Sequence, residues 1–105
     1  MSASSVLLLS TDPSLVESVA GFVQAVRLFR LLGSPARVRM LLELARVGEA
    51  SGTALAAAAG CNLSPASNHL RLLRDARLGD ARRVGKRCLY RLAPGLTLYL
   101  LGLVR

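Results

Sequence analysis

Ser64, Asn68, Arg71 and Asp75 recur at i, i+4, i+7 and i+11, so a helix through them carries one polar edge, flanked by Ser67 and Arg74. These are side-chain types that can read a duplex. An Asn carboxamide matches adenine N6 and N7 in the major groove, an Arg guanidinium matches guanine O6 and N7, and a Ser hydroxyl reaches bases or phosphate. Base contacts come from the N-terminal part of such a helix, which makes Ser64, Ser67, Asn68 and Arg71 the candidate readers. Arg74 and Arg77 then fall to phosphate. Arg82, Arg83, Lys86 and Arg87 cluster around a Gly further on, where they would meet the neighbouring backbone or minor groove. Plainer readings exist for several of these. Ser64 also fits a first-turn cap, and Asn68 a solvated polar residue. Arg71 and Arg77 could pair with Asp75 or Asp80, for about a few tenths of a kcal/mol each. His69, beside Ala66 and Leu73 by helical spacing, reads as a structural or phosphate-tethering residue and not as a metal ligand.

The elements that must hold these residues follow from caps and periodicity. Asp12-Pro13-Ser14 is a helix start, and Ser14 with Glu17 offers an alternative capping box. The helix runs to Leu32, where Gly33 stops it. It carries two apolar stripes, Leu15-Val19-Phe22-Val26-Phe29 and Val16-Ala20-Val23, and so is expected to be buried on more than one side, the second by a partner subunit. Ser34-Pro35 opens a helix to about Val47, with Val38, Leu41, Leu42 and Ala45 as its apolar face and Gly48 as its end. Ser51 or Thr53 caps a short Ala-rich helix through Ala59, closed by Gly60. Asn62 can cap the reader helix, 62 to about 77, which Leu63, Ala66, Leu70 and Leu73 should seat on the domain, with Pro65 in its first turn. Two strands, 80–83 and 87–92, flank Val84-Gly85-Lys86. In the second, Cys88, Tyr90 and Leu92 alternate with Leu89 and Arg91. Pro94 opens a last helix, 96–104, that is almost wholly apolar.

The order α-α-α-α-β-β-α, mainly helical with a small β-hairpin, is that of a winged helix-turn-helix filling one domain, 1–105. Its parts are an N-terminal dimerisation helix (about 12–32), a core helix (34–47), a helix-turn-helix (51–77), a wing (80–92) and a C-terminal dimerisation helix (94–105). Leu15, Val19, Phe22, Val26, Leu98, Tyr99 and Leu101 are the expected dimer contacts.

The same residues carry a family likeness. Gly60, Ser67-Asn68-His69-Leu70, Leu73, Ala76-Arg77-Leu78 and Cys88-Leu89-Tyr90-Arg91-Leu92 resemble the ArsR/SmtB-type bacterial winged-helix repressors. Gly33-Ser34-Pro35-Ala36-Arg37-Val38-Arg39-Met40-Leu41 resembles that family's Gly-x-Pro-x-Arg-x-x-x-Leu run, and the likeness extends over about residues 27–93. It implies a cytoplasmic, homodimeric repressor of an inverted-repeat operator in double-stranded DNA. The family's metal sites find no counterpart. Ser51 and Thr53 stand where one site has Cys-x-Cys, and 96–105 hold no acid or His for another. Arg71, Leu72, Leu73 and Arg74 offer no Cys for a third. No metal and no other cofactor is therefore expected, with a site shared between subunits left open. Cys61 and Cys88 read as small buried hydrophobes or, alternatively, as a dithiol switch, although redox-sensing relatives carry their Cys on the second and last helices, where this chain has none. A thiol-redox repressor and a DNA-binding subunit served by a separate sensor protein are thus the alternatives.

Bulk composition agrees with this class. The chain has 105 residues, room for one domain, and 52% hydrophobic content suffices for a core. Only 4% is aromatic, so the core must be Leu, Ala and Val. The net charge of +8 points to an anionic partner, nucleic acid before an acidic membrane, and the cations concentrate between 71 and 91. Two Cys are too few for a secreted disulfide framework, and neither a signal peptide nor a membrane-spanning run is expected. An enzyme finds little support: Ser67 and His69, two apart, do not face each other on a helix, and there is no Gly-rich phosphate loop. A small basic nucleoid or membrane-surface protein would lack a reason for the polar reading edge.

Overall fold

Punctuation by small and capping residues sets the helix boundaries. In the computed structural model, which describes residues 19–97, helix α1 (Val19–Leu32) yields at Gly33 to α2 (Pro35–Val47). Ser34 caps α2, its Oγ accepting from the Arg37 N–H at 3.4 Å, with Pro35 in the first turn. A short strand β1 (Glu49–Ser51) leads into α3 (Gly52–Ala59), whose cap is Ser51 and not Thr53: the Ala54 N–H donates to Ser51 Oγ at 3.2 Å. Helix α4 (Leu63–Asp75) follows, then strands β2 (Gly79–Val84) and β3 (Arg87–Leu92). A helical turn begins at Leu96, and the expected contacts Leu15, Leu98, Tyr99 and Leu101 lie outside the described residues.

Two helices end in the same way. Past α3, the Cys61 N–H donates to the Ala56 carbonyl at 3.0 Å and the Gly60 N–H to that of Ala57 at 3.1 Å, with Gly60 at φ 69. Past α4, the Leu78 N–H donates to the Leu73 carbonyl at 3.0 Å and the Arg77 N–H to that of Arg74 at 2.9 Å. Both are Schellman closures, in which the residue after the left-handed position turns back onto the helix. In the first that residue is Cys61, half-buried against the core; in the second it is Leu78, buried. The left-handed position of the second is Arg77, φ 61, so α4 stops at Asp75 and Arg77 lies beyond the helix that was expected to include it.

The core is aliphatic. Met40, Leu41 and Leu44 of α2, Leu55 and Ala59 of α3, Ala66, Leu70 and Leu73 of α4, and Leu78, Leu92 and Leu96 form one cluster. Burying each large side chain contributes about 1.5–3 kcal/mol. Three expectations need correction here. The α2 face turns on Met40 and Leu44, with Val38 and Leu42 only half-buried, because the helix is wedged between α3 and the sheet. Leu63 does not seat α4: it is 53% exposed, at the first helical position and outside the cluster. Asn62 sits at the cap position without a side-chain cap hydrogen bond.

The sheet has three strands, not two. Its order is β1-β3-β2, antiparallel throughout, with Glu49 opposite Arg91, Ser51 opposite Leu89, and β2 paired to β3 from Gly79–Leu92 to Val84–Arg87. The hairpin turns on Gly85-Lys86, with Gly85 at φ 62, as a two-residue turn requires. Cys88, Tyr90 and Leu92 face the helices, and Leu89 and Arg91 face away. No helix among the described residues is long and apolar enough to cross a membrane.

The base of the wing tolerates no side chain at Gly79. A Cβ there would stand 2.9 Å from the Arg91 carbonyl oxygen, which is backbone and cannot swing aside. Gly79→Ala is expected to spread β2 from β3 and to cost about 1–3 kcal/mol, read as a lower urea midpoint at unchanged slope.

Candidate nucleic-acid interface

Helix α4 divides cleanly into a seat and a display. Ala66, Leu70 and Leu73 are buried, whereas Ser64, Ser67, Asn68, Arg71, Arg74 and Asp75 are exposed on the opposite side. The predicted polar edge is thus a surface. Its members are not independent: the Arg71 guanidinium donates to Asn68 Oδ1 at 2.9 Å and to Asp75 Oδ2 at 3.1 Å. Such exposed contacts are worth about 0.2–1 kcal/mol, enough to orient the side chains and little enough to exchange. His69 is half-buried, with its Nδ1 shielded from water and unpartnered.

The wing presents its cations differently on its two faces. Arg83, opposite Cys88, projects from the helix-facing side, and Lys86 and Arg87 occupy the turn and the first position of β3. All three are exposed, and no acid among the described residues engages them. Arg82 emerges on the other side and is taken up by Glu49, Nε to Oε2 at 2.7 Å and Nη2 to Oε1 at 2.8 Å. Beside it, Arg91 Nε donates to Asp80 Oδ1 at 2.9 Å. Glu43 holds Arg46 and Asp75 holds Arg71, so every acid among the described residues is committed to an arginine. Asp80, the acid beyond the end of α4, pairs with Arg91. Among the described residues, α4 and the wing therefore carry Arg74, Arg83, Lys86 and Arg87 outside these ion pairs.

Charge pairing and burial set the titration of two groups. The Arg82 guanidinium hydrogen-bonded to Glu49 holds its carboxyl below the ordinary value, outweighing desolvation, with the charges of Arg82 and Arg91 adding to the effect. Burial raises the Tyr90 phenol, the neighbouring Cys88 side chain adds to the rise, and the Arg74 charge opposes it. Cys88 and Cys61 are both half-buried free thiols. Cys61 follows the left-handed Gly60 at the end of α3 and packs against the core, and Cys88 lies beside Tyr90. Among the described residues, no three His, Cys, Asp or Glu side chains gather in a way that could hold a metal.

Solved structures share this arrangement. The homodimeric winged helix-turn-helix DNA-binding domain Mb0332 of Mycobacterium bovis, described as a possible ArsR-family transcriptional regulator, is 36% identical over 84% of this chain and 81% of its own, with a TM-score of 0.71. The AntR antimony-specific transcriptional repressor is also 36% identical, over 90% of this chain and 89% of its own, at 0.69. The chain belongs to the ArsR/SmtB-type winged helix-turn-helix family. A third member, the cadmium sensor CMTR of Mycobacterium tuberculosis, is 37% identical over 76% of this chain and 83% of its own, at 0.63. No protein-family model and no curated protein matches the chain. As an ArsR-type protein it is a DNA-binding transcriptional regulator and not an enzyme. The sequence pattern located α4 and the hairpin that such regulators carry, but it missed Glu49. That residue lies 33 positions from Arg82, and no local pattern couples them.

A carboxylate with a depressed folded value contributes stability above its unfolded value and loses it as pH falls through the folded one. The Glu49–Arg82 pair should therefore survive into acid where an isolated carboxylate has already protonated. A ¹³C carboxyl titration of Glu49 is expected to show a midpoint below 4.5, moving up toward it in Arg82→Gln.

Proposed function

We propose that this ArsR-type chain is a cytoplasmic homodimeric repressor that reads an inverted-repeat operator with α4 and grips the flanking backbone with its wing. The observation that carries the reading is the pairing pattern. The exposed edge Ser64-Ser67-Asn68-Arg71 holds groups matched to base edges, while Arg74, Arg83, Lys86 and Arg87 pair with no acid among the described residues. In this reading Arg77, at the turn after α4, and His69 serve the phosphate backbone. The exposed start of α4 helps as well, since a helix N-terminus whose cap side chain makes no bond favours an anion.

A second copy of the chain covers α1. Its Leu28 and Leu31 face its own core, whereas Val19, Phe22, Val26 and Phe29 stand outside, Phe22 61% and Phe29 72% exposed. The chain has two Phe in all, and both lie on this face. Leaving the largest apolar side chains in water is unfavourable by about 1.5–3 kcal/mol each, and a symmetric partner removes that cost. The Mycobacterium bovis relative is itself described as homodimeric.

The signal enters by a route other than a thiolate metal site, through a partner protein or another ligand. CMTR is described as a cadmium sensor and AntR as antimony-specific, but at the two Cys positions of the family's site this chain has Ser51, whose Oγ is occupied as the cap of α3, and Thr53. Two oxygens of this kind are poor ligands for soft metals.

Three outcomes are expected. In fluorescence anisotropy, Asn68→Ala costs about 1–3 kcal/mol on the operator and little on random DNA, while Arg83→Ala weakens both alike and flattens the log–log salt slope by about 0.9 per lost phosphate contact. Equal losses on both DNAs for Asn68→Ala would remove it as a reader. Phe22→Arg gives a monomer by light scattering without unfolding the subunit, because the side chain is exposed within one chain; a stable dimer would move the interface elsewhere. Stoichiometric Cd²⁺ or antimonite leaves the operator complex intact, and release would reveal a metal site shared between subunits.

A further inference from the structure

The ion pair between Arg82 and Glu49 joins strands that are not neighbours. In the order β1-β3-β2, Arg82 sits on one edge strand and Glu49 on the other. Two strand spacings, about 9–10 Å, separate them, so the Arg82 side chain must lie extended across β3. In register, it passes from Leu89, its own partner, toward the row that holds Arg91 and Glu49. One edge of the guanidinium is used, Nε and Nη2 each donating to one carboxylate oxygen. A bidentate fork fixes direction as well as distance.

What lies at the far end gives the pair its consequence. Glu49 begins β1, and β1 ends at Ser51, which is at once a strand residue and the cap of α3. The helix-turn-helix is thus anchored by the same three-residue strand that Arg82 grips. β2, which carries Arg82, also carries Arg83 and runs into the Gly85-Lys86 turn. Arg83, with no acidic partner among the described residues, is on the opposite face.

From this geometry we propose that Arg82 is a positioning residue, not a phosphate contact: with Glu49 it forms a strap across β3 that sets the wing against the helix-turn-helix, so that Arg83 and Lys86 meet the backbone while α4 occupies the groove. The proposal rests on the DNA-binding reading above. It reassigns Arg82 from the wing's phosphate contacts to the wing's mounting, and it gives Glu49 a role in DNA binding although it bears the wrong charge for one.

A charge-conserving exchange separates strap from contact. Arg82→Glu alone should weaken operator binding in either case. The double variant Glu49→Arg/Arg82→Glu restores the pair with its sense reversed and leaves the net charge unchanged. It should return operator affinity to within about threefold of the parent at an unchanged salt slope, because exposed pairs of this kind contribute only about a few-fold in any equilibrium. A double variant as weak as Arg82→Glu, with the slope flattened by about 0.9 per subunit, would overturn the proposal, since position 82 would then be touching phosphate. Amide hydrogen exchange without DNA supplies an independent arm. Arg82→Gln should speed exchange across β2 and β3, and the exchanged pair should bring protection back. Unchanged protection in Arg82→Gln would overturn the strap even if DNA binding were lost. A parent protein that fails to bind any duplex while Arg82→Gln still loosens the hairpin would instead refute the DNA-binding reading and leave the strap as a structural fact.

Discussion

Ala66, Leu70 and Leu73 are pressed between α2 and α3, where Leu41, Leu44 and Leu55 are also buried. Each large side chain in that contact contributes about 1.5–3 kcal/mol, and each exposed ion pair on the far side of α4 about 0.2–1 kcal/mol. The inequality orders the whole structure. The apolar seat fixes where α4 lies and which way it is turned about its axis. The polar edge cannot alter that placement, and DNA can displace its contacts without disturbing the seat. The Asn68–Arg71 contact can therefore be exchanged at little cost, whereas a change at Leu70 or Leu73 would move the whole exposed edge at once.

Distribution of the acids is a second constraint. The chain has few of them for its charge, and the described ones are not spread evenly over the arginines. Glu49 and Asp80 neutralise Arg82 and Arg91 on the outer face of the sheet, and none lies near enough to neutralise Arg83, Lys86 or Arg87. Net charge alone would have assigned all the wing cations to one purpose. Pairing separates those that hold the sheet together from those left for an anionic partner, and two residues adjacent in sequence, Arg82 and Arg83, fall into different groups because a strand turns successive side chains to opposite faces.

Most of the architecture was legible because it is written in local signals. Ser34-Pro35, Gly33, Gly48 and Gly60 mark helix ends that the structure reproduces, and Gly85 marks the hairpin. What escaped was non-local. β1 is three residues long, too short to show an alternation, and exists only because β3 pairs with it. Leu63 satisfied the helical period but starts the helix, where about half of it stays exposed. Arg77 occupies a left-handed position of a kind usually filled by Gly, so nothing in the sequence announced that α4 had ended. The reading edge of α4 was visible at once, since i, i+4 and i+7 spacing is a property of one helix. The Arg71–Asn68 and Arg71–Asp75 contacts follow from the same spacing.

Scarcity of aromatic residues connects the core to the outer face of α1. With Leu and Ala filling the interior, the core has no need of large rings, and neither Phe is used there. Small residues in α3 allow it to pack closely on α2 and α4. A short chain buries a smaller share of its own surface than a long one, and a subunit of this length has little stability in reserve. Among the described residues, most of the exposed large hydrophobics, Val19, Phe22, Val23, Val26 and Phe29, lie on α1. A stripe of this kind is what a two-fold partner can cover in a single contact.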